Sequence, residues 1–178
     1  MAQRVHVELI EQGTEAWNQW RRDNPDVRPD LYAAHLPSAD LSGMNLAGSI
    51  LAVAVLYRAD LSGADLRGAD VSSANLMEAS LRRANLHGAD LSGAYCHRAD
   101  LTEVDLGGCD LRGVLIPSAD LDKANLSAAD LSGAHLHNAK NVTVEQLCSV
   151  RSLWLAELHN HMSVVEAHCP QLLLRPTD

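Results

Sequence analysis

The chain has 178 residues, a formal net charge of −9 at pH 7, six aromatic residues and no Phe. Its length suits one domain, and its negative charge argues against nucleic acid or an anionic membrane surface as a direct partner. It has no apolar run of about eighteen residues, and its N-terminus lacks a basic segment followed by an apolar one. We therefore predict neither export nor membrane insertion, and a cytoplasmic location.

Residues 4 to 22 are predicted to form one amphipathic helix. Their apolar and small residues recur at three- and four-residue steps: Val5, Leu9, Gly13, Ala16, Trp17 and Trp20. Pro25 and Pro29 end this pattern. Trp17 and Trp20 share a face, and we expect them to cover the start of the region that follows. A contact with a cofactor or a sugar is the less favoured alternative.

From Leu31 to Leu136 an apolar residue, here called a centre, recurs at every fifth position. Nineteen of the twenty-two centres are Leu, and the others are Val71, Cys96 and Ile116. A mostly small residue also recurs every five positions from Ala34 to Ala139, in the place two before a centre, and it is Ala at seventeen of these twenty-two positions. A helix is excluded, because a step of five advances about 140° and would scatter the centres around its surface.

Each group of five residues fits one short extended side followed by a turn. Residues two apart on an extended segment point the same way, so the Ala and the centre both face inward. Gly stands two residues after nine of the centres, where a type II turn needs a positive φ. These nine are Gly43, Gly48, Gly63, Gly68, Gly88, Gly93, Gly108, Gly113 and Gly133.

The spelling Ala-Asp-Leu-x-x, clearest in residues 59–68, resembles the pentapeptide-repeat family. The resemblance implies an all-β solenoid, a right-handed four-sided (quadrilateral) β-helix with four pentapeptides per coil. We assign residues 1–29 to an N-terminal helical cap and residues 30–140 to about five and a half coils. Residues 141–178 form a C-terminal helical cap and tail in this prediction.

Residues twenty apart should stack, so the residue before each centre falls into one of four columns, here called walls. The first wall is Asp30, Ile50, Asp70, Asp90, Asp110 and Asp130. The second is His35, Val55, Asn75, Tyr95, Leu115 and His135. The third is Asp40, Asp60, Ser80, Asp100, Asp120 and Lys140. The fourth is Asn45, Asp65, Asn85, Asp105 and Asn125.

The second wall differs from the others because it carries no Asp, and we predict a protein-contact patch there. The patch, with its neighbours around the corner, is Ile50, Val53, Val55, Tyr57, Met77, Tyr95 and Leu115. No Gly follows the centres of this wall, which predicts a wider turn. Two alternatives to binding stay open: the C-terminal tail covers part of the wall, or Arg58, Glu78 and Arg98 interrupt the patch.

After the repeats, Thr143 and Gln146 form a capping-box pattern that opens a helix through Leu147 and Val150. The apolar run 152–158 continues this cap, and a second helix is predicted from about His161 to His168. We expect the tail, with Trp154, to cover the last coil.

The four cysteines are predicted to be reduced thiols rather than a disulfide or a metal site. Cys96 and Cys109 occupy inward positions, and neither forms a Cys-x-x-Cys pair with Cys148 or Cys169. His159, His161 and His168 lie near Cys169 in sequence, but one His-x-His with one Cys is a weak metal pattern, and solvated cap residues are the favoured interpretation.

No motif for catalysis or phosphate binding occurs, so we predict a protein that is not an enzyme and has no cofactor or metal. The favoured function is a structural or interaction module with an unknown protein partner or with itself. The alternative comes from the family, some of whose members bind DNA gyrase through an acidic, duplex-like rod. The unbroken register from 31 to 136 leaves no insertion for the projecting loops of several gyrase-protecting members.

Overall fold

The computed structural model describes residues 3–158 and 161–174. The N-terminal segment forms two helices, α1 (Arg4–Glu11) and α2 (Thr14–Asp23), where one was predicted. Gly13 separates them with a φ of +92°, which is incompatible with a continuous helix. The break also corrects the predicted apolar face, because Val5 is 53% exposed whereas Ile10 is buried.

The repeat region is a β-solenoid built from isolated parallel bridges. From Asp30 to Lys140 the bridges join residues twenty apart, and they fall into the four walls that the sequence predicts. Every centre from Leu31 to Leu136 is buried, with at most 6% of its surface exposed. The centres and the small residues between them form one apolar core along the stack.

Five N–H groups per repeat are paired wherever the repeat is regular. Four of them donate to the backbone: Leu61 to Ser80 O (2.7 Å), Gly63 to Arg82 O (2.8 Å), Ala64 to Leu61 O (3.0 Å) and Asp65 to Met44 O (3.0 Å). The fifth, that of Ser62, donates to the Asp60 side chain at 2.9 Å. All five backbone N–H groups of a regular repeat are thus paired within the solenoid, as buried backbone requires.

The predicted wider turn of the second wall is wrong, because its corners have the same backbone as those with Gly. Arg58 has a φ of +58° and Ser38 one of +57°, and Gly68 on the fourth wall has +61°. The turn hydrogen bond is also kept, since Ala59 N–H donates to Leu56 O at 3.0 Å. A left-handed conformation costs a residue other than Gly roughly 1–2 kcal/mol, and the flanking coils impose that conformation here.

The predicted capping box opens helix α3 (Val144–Ser149). Thr143 Oγ1 accepts from Gln146 N–H at 3.2 Å, and Gln146 Oε1 accepts from Thr143 N–H at 2.7 Å. Residues 152–158 are not helical, because bridging resumes beyond α3. Asp130 pairs with Ser152 and His135 with Glu157, a spacing of twenty-two residues instead of twenty. The solenoid therefore continues past residue 140, with α3 inserted in its last coil.

The rest of the described chain is helix α4 (Met162–His168) and a 3₁₀-helix, Pro170–Leu173. Leu153 N–H donates to Leu172 O at 2.7 Å, the same interval of nineteen residues that joins successive coils. This hydrogen bond places the 3₁₀-helix on the last coil. Leu174, the last described residue, is 68% exposed.

Candidate functional site

The Asp and Asn residues of the walls support the turns. In each of these repeats, the side-chain oxygen of the residue before the centre accepts from the N–H two residues later, as Asp60 does for Ser62 (2.9 Å) and Asp90 for Ser92 (2.8 Å). The same bond recurs from Asp30 through Asp130 on the first, third and fourth walls. This local bond is a known role of Asp and Asn in turns. These columns are therefore rich in Asp and Asn because the turns of the fold need their side-chain oxygens as acceptors.

Several of these carboxylates are also paired with arginines. Arg67 lies 2.6 Å from Asp65, and Arg112 lies 2.5 Å from Asp110. The hydrogen bonds from these arginines lower the pKa of each carboxyl group. Part of the negative charge of the acidic walls is thus compensated within the protein by these arginines.

The second wall lacks most of these acceptors and is built differently. Asn75 alone among its predicted members makes the turn bond, to Met77 N–H at 3.1 Å. Proline, which has no N–H to satisfy, occupies the corresponding position at Pro37 and Pro117. The wall is therefore free to carry apolar and aromatic residues where the others need a carboxylate or an amide.

The structure brings five of the seven patch residues together on this wall. Bridges stack Val55, Asn75, Tyr95 and Leu115, and the next column holds Tyr57 and Met77. Tyr95 is 47% exposed, and Val55, Tyr57, Met77 and Leu115 are half-buried.

Two patch residues lie apart from this group. Ile50 belongs to the first wall, between Asp30 and Asp70, and Val53 is an exposed corner residue of the same repeat. The charges next to the patch are partly neutralised. Arg58 lies 2.7 Å from Glu78 and 4.9 Å above the Tyr57 ring.

The three tryptophans lie against the two ends of the stack. Trp17 is fully buried, and its indole N–H donates to Asn45 O at 2.8 Å. Trp20 is half-buried, with its ring 5.4 Å from that of Trp17 and 5.0 Å from His6. Trp154 lies at a corner of the resumed coil, where its C=O accepts from Gly133 N–H at 2.8 Å.

Sequence reasoning missed the polar side chains of α2 that bond the edge of the first coil. Thr14 donates to Ser42 O (3.0 Å), Asn18 to Gly43 O (3.0 Å) and Arg21 to Ala47 O (2.9 Å). Asn18 also accepts from Asn45 N–H at 2.7 Å. These side chains take the place of a preceding coil. Their spacing of four and three residues, which puts them on one helix face, was the available signal.

Cys148 and Cys169 form a disulfide, with their Cα atoms 5.6 Å apart. This corrects the prediction that all four cysteines are reduced. The pair joins α3 to the end of α4, a contact that its separation of twenty-one residues did not reveal. Cys96 and Cys109 are free and buried, and burial raises the pKa of each thiol to about 12.

The residues considered for a metal site do not assemble one in the part of the chain that the structure describes, where no group of three or more His, Cys, Asp and Glu residues is placed to hold a metal ion. His168 Nδ1 lies 2.9 Å from Val164 O, and Cys169 is in the disulfide. His159 lies outside the described residues. Among residues 3–158 and 161–174, no helix combines the length and apolar character needed to cross a membrane.

A solenoid of five-residue repeats defines a class of repeat protein, and the family model for pentapeptide repeats matches this sequence in eight copies, over residues 54–93, 79–115 and 118–140. The chain belongs to the pentapeptide-repeat family. No curated protein matches it significantly.

Solved structures of pentapeptide-repeat proteins resemble this chain. HetL from the cyanobacterium Nostoc sp. PCC 7120, involved in heterocyst differentiation regulation, is 31% identical with a TM-score of 0.43 over 74% of this chain and 58% of HetL. A protein of the Arabidopsis thaliana thylakoid lumen is 28% identical, with a TM-score of 0.40 over 66% of this chain and 79% of its own. QnrB1, a plasmid-mediated fluoroquinolone resistance protein, is 19% identical, with a TM-score of 0.33 over 74% and 72%.

Proposed function

We propose that this chain is a non-enzymatic protein-interaction module that presents the walls of a right-handed four-sided β-helix, closed by helices at both ends, to a protein partner. The four bridge columns support the four-sided shape. The continuous core and paired repeat backbone support a rigid scaffold, since each coil is fixed by its neighbours.

The observation that carries this proposal is the apolar group along the second wall, in which Tyr95 is exposed and Val55, Tyr57, Met77 and Leu115 are half-buried. Single exposed apolar residues are common, but several in adjacent stacked columns usually mark a contact surface. Tyrosines in particular are frequent at binding hot spots. Among the described C-terminal residues, Leu172 bonds the last coil through Leu153 N–H, and Tyr95 is 47% exposed beside the described chain.

The acidic DNA-mimic function is less well supported. A mimic needs its carboxylates to face a partner, whereas many of those here accept backbone hydrogen bonds, and some pair with arginines. Supercoiling by DNA gyrase, measured with and without this protein, tests that function directly. Inhibition or protection of gyrase at stoichiometric concentration would favour it over the interaction module.

The double variant Tyr57→Glu with Tyr95→Glu tests the second wall. We expect it to fold normally and to lose self-association in light scattering, or partners in pull-downs from host lysate. The matched control, His87→Glu with Ser127→Glu, adds two charges at exposed positions two residues after Asn85 and Asn125 of the fourth wall. It should keep its self-association and its partners. Unchanged association of the second-wall variant would exclude this wall as the binding face.

We also propose a cytoplasmic location. The Cys148–Cys169 disulfide argues against this location, because such bonds persist mainly in oxidising compartments. Thiol labelling of the protein in freshly quenched cells would show whether Cys148 and Cys169 are bonded where the protein resides. A fully bonded pair would contradict a reducing cytoplasm.

A further inference from the structure

A stack of coils has backbone groups at each end that lack the partners the next coil would supply. Inside the stack, Val55 N–H donates to Ala34 O at 2.9 Å, and Val55 O accepts from Leu36 N–H at 2.9 Å. Asp60 does the same with Ala39 and Leu41, at 2.9 and 2.7 Å. His35 and Asp40 are the equivalent residues of the first coil, where no coil precedes them.

The N-terminal helices replace the missing coil along two walls. On the fourth wall, the side chains of α2 bond the backbone of residues 42–47. On the first wall, Asp30 N–H donates to His6 Nδ1 at 3.1 Å, and Asp30 O accepts from Gln3 N–H at 3.0 Å. Edge groups on these walls are therefore already occupied.

The stretch between these two walls is open. In the part of the chain that the structure describes, no hydrogen bond reaches the backbone N–H or C=O of His35 or Asp40, or the C=O of Pro37. All three residues are exposed. We call residues 35–40 the open edge. Such an edge is a template for one more strand, whose N–H and C=O groups would pair as those of a coil do.

A notch of about 340 Å³ adjoins the open edge, lined by Ile10, Glu11, Gly13, Thr14, Leu36, Ala39 and Asp40. Ile10 and Leu36 make its floor apolar. Glu11 and Asp40 are exposed at its rim, and among the described residues neither has a Lys or Arg partner. The notch is therefore complementary to an apolar side chain that has a cationic neighbour.

The N-terminal helices restrict the occupant of the open edge to one peptide segment. Helices α1 and α2 lie against the same end of the stack, where they bond the first and fourth walls. A second solenoid would meet these helices before its flat end reached the open edge. One segment that bends at the Ser38 corner, as a coil does, can lie beside them.

We propose that the open edge binds a peptide segment of a partner protein, which follows the first coil around the corner at Ser38 and places an apolar residue, next to a Lys or Arg, in the notch. This site adjoins the second-wall patch, because His35 is bridged to Val55, but it uses backbone groups of the first coil and does not depend on the function proposed above. The backbone bonds supply affinity, and the notch supplies specificity.

Labelled octapeptides with a central Leu-Lys pair and Ser, Thr or Val elsewhere are the probe. We expect at least one of these octapeptides to show saturable binding. When that peptide is saturating, hydrogen exchange of the His35 and Asp40 amides should slow at least tenfold. Val55 and Asp60 are the matched controls one coil along, where both N–H groups are already bonded, and their exchange should not change.

One protein variant and one modified peptide distinguish binding at the open edge from binding elsewhere on the protein. The double variant Glu11→Gln with Asp40→Asn keeps the turn acceptor at position 40 and should weaken the peptide at least tenfold. Methylation of the peptide's backbone nitrogens at and beside Leu should abolish binding. Any of three outcomes would overturn the proposal. The first two are that no octapeptide binds, or that the methylated peptide binds as tightly as the unmethylated one. The third is that peptide binding is lost in the double variant Tyr57→Glu with Tyr95→Glu and that, in the unsubstituted protein, the peptide does not slow exchange of the His35 amide.

Discussion

The two ends of the solenoid are closed by different means. At the N-terminal end, side chains of α2 reach the backbone of the first coil, and Trp17 supplies both apolar cover and an N–H donor. At the C-terminal end the chain continues its own coil beyond α3, and a disulfide ties α3 to α4. One end thus depends on a few side chains, and the other on backbone continuity and a covalent link.

The substitution Trp17→Ala should have the largest effect. It removes a fully buried ring and the donor to Asn45 O, and we expect a loss of roughly 3–5 kcal/mol of stability. Urea unfolding measures it. Trp17→Phe keeps most of the ring and should cost about 1–2 kcal/mol, mainly the lost hydrogen bond. Equal losses in both variants would mean that the indole N–H carries the contact and the ring does not.

Reduction of the disulfide should cost about 3 kcal/mol, the value typical of a closed loop of this length. The loss of stability should be confined to the C-terminal end of the solenoid. Exchange of the Leu131, Gly133 and Leu136 amides, which donate to residues 152–157, should accelerate. The Asn45 amide, at the other end, should not respond. The double variant Cys148→Ser with Cys169→Ser should behave like the reduced protein, and a uniform loss along the stack would contradict a local link.

The substitution Gln146→Met tests how the inserted helix satisfies the coil below it. The Gln146 amide donates to Leu121 O and Ala124 O, both at 2.9 Å. Met fills a similar volume without these donors and without the Oε1 acceptor of the capping box, so we expect a loss of roughly 1–3 kcal/mol in chemical unfolding. Glu145→Gln, exposed on the same helix, is the control and should be nearly neutral. Similar losses in both would show that α3 contributes only its helical packing.

The smallest effect concerns acid pH at the C-terminal end. Burial alone would raise the pKa of the Asp130 carboxyl, but hydrogen bonds from Ser132 and Arg151 outweigh it and hold that pKa below its ordinary value. A lowered folded-state pKa stabilises the protein above the unfolded pKa of about 4, and this contribution is lost as the pH falls through the folded value. In Arg151→Gln, the free energy of unfolding that is lost at acid pH should be smaller by less than about 1 kcal/mol, as measured by thermal unfolding at several pH values. An unchanged pH profile would contradict the pairing.

The acidic columns show how a sequence pattern can be found correctly and interpreted incompletely. The walls were predicted as the structure has them, because a period of five in a stacked coil fixes which residues lie above one another. The role of Asp60 and its equivalents as turn acceptors needed the positions of the N–H groups. Their outward placement had suggested only a charged surface.

The sequence by itself determined the register, the inward Leu and Ala columns and the capping box at Thr143, because each depends on residues a few positions apart. Tertiary structure alone decided the conformation of Arg58 at its corner, the resumption of the coil at Ser152 and the bond between Cys148 and Cys169. Each of these depends on groups brought together by stacking. Neighbouring coils impose a left-handed corner on Arg58, and the apolar core makes Leu153 and Leu158 more stable as two further centres than as parts of a helix.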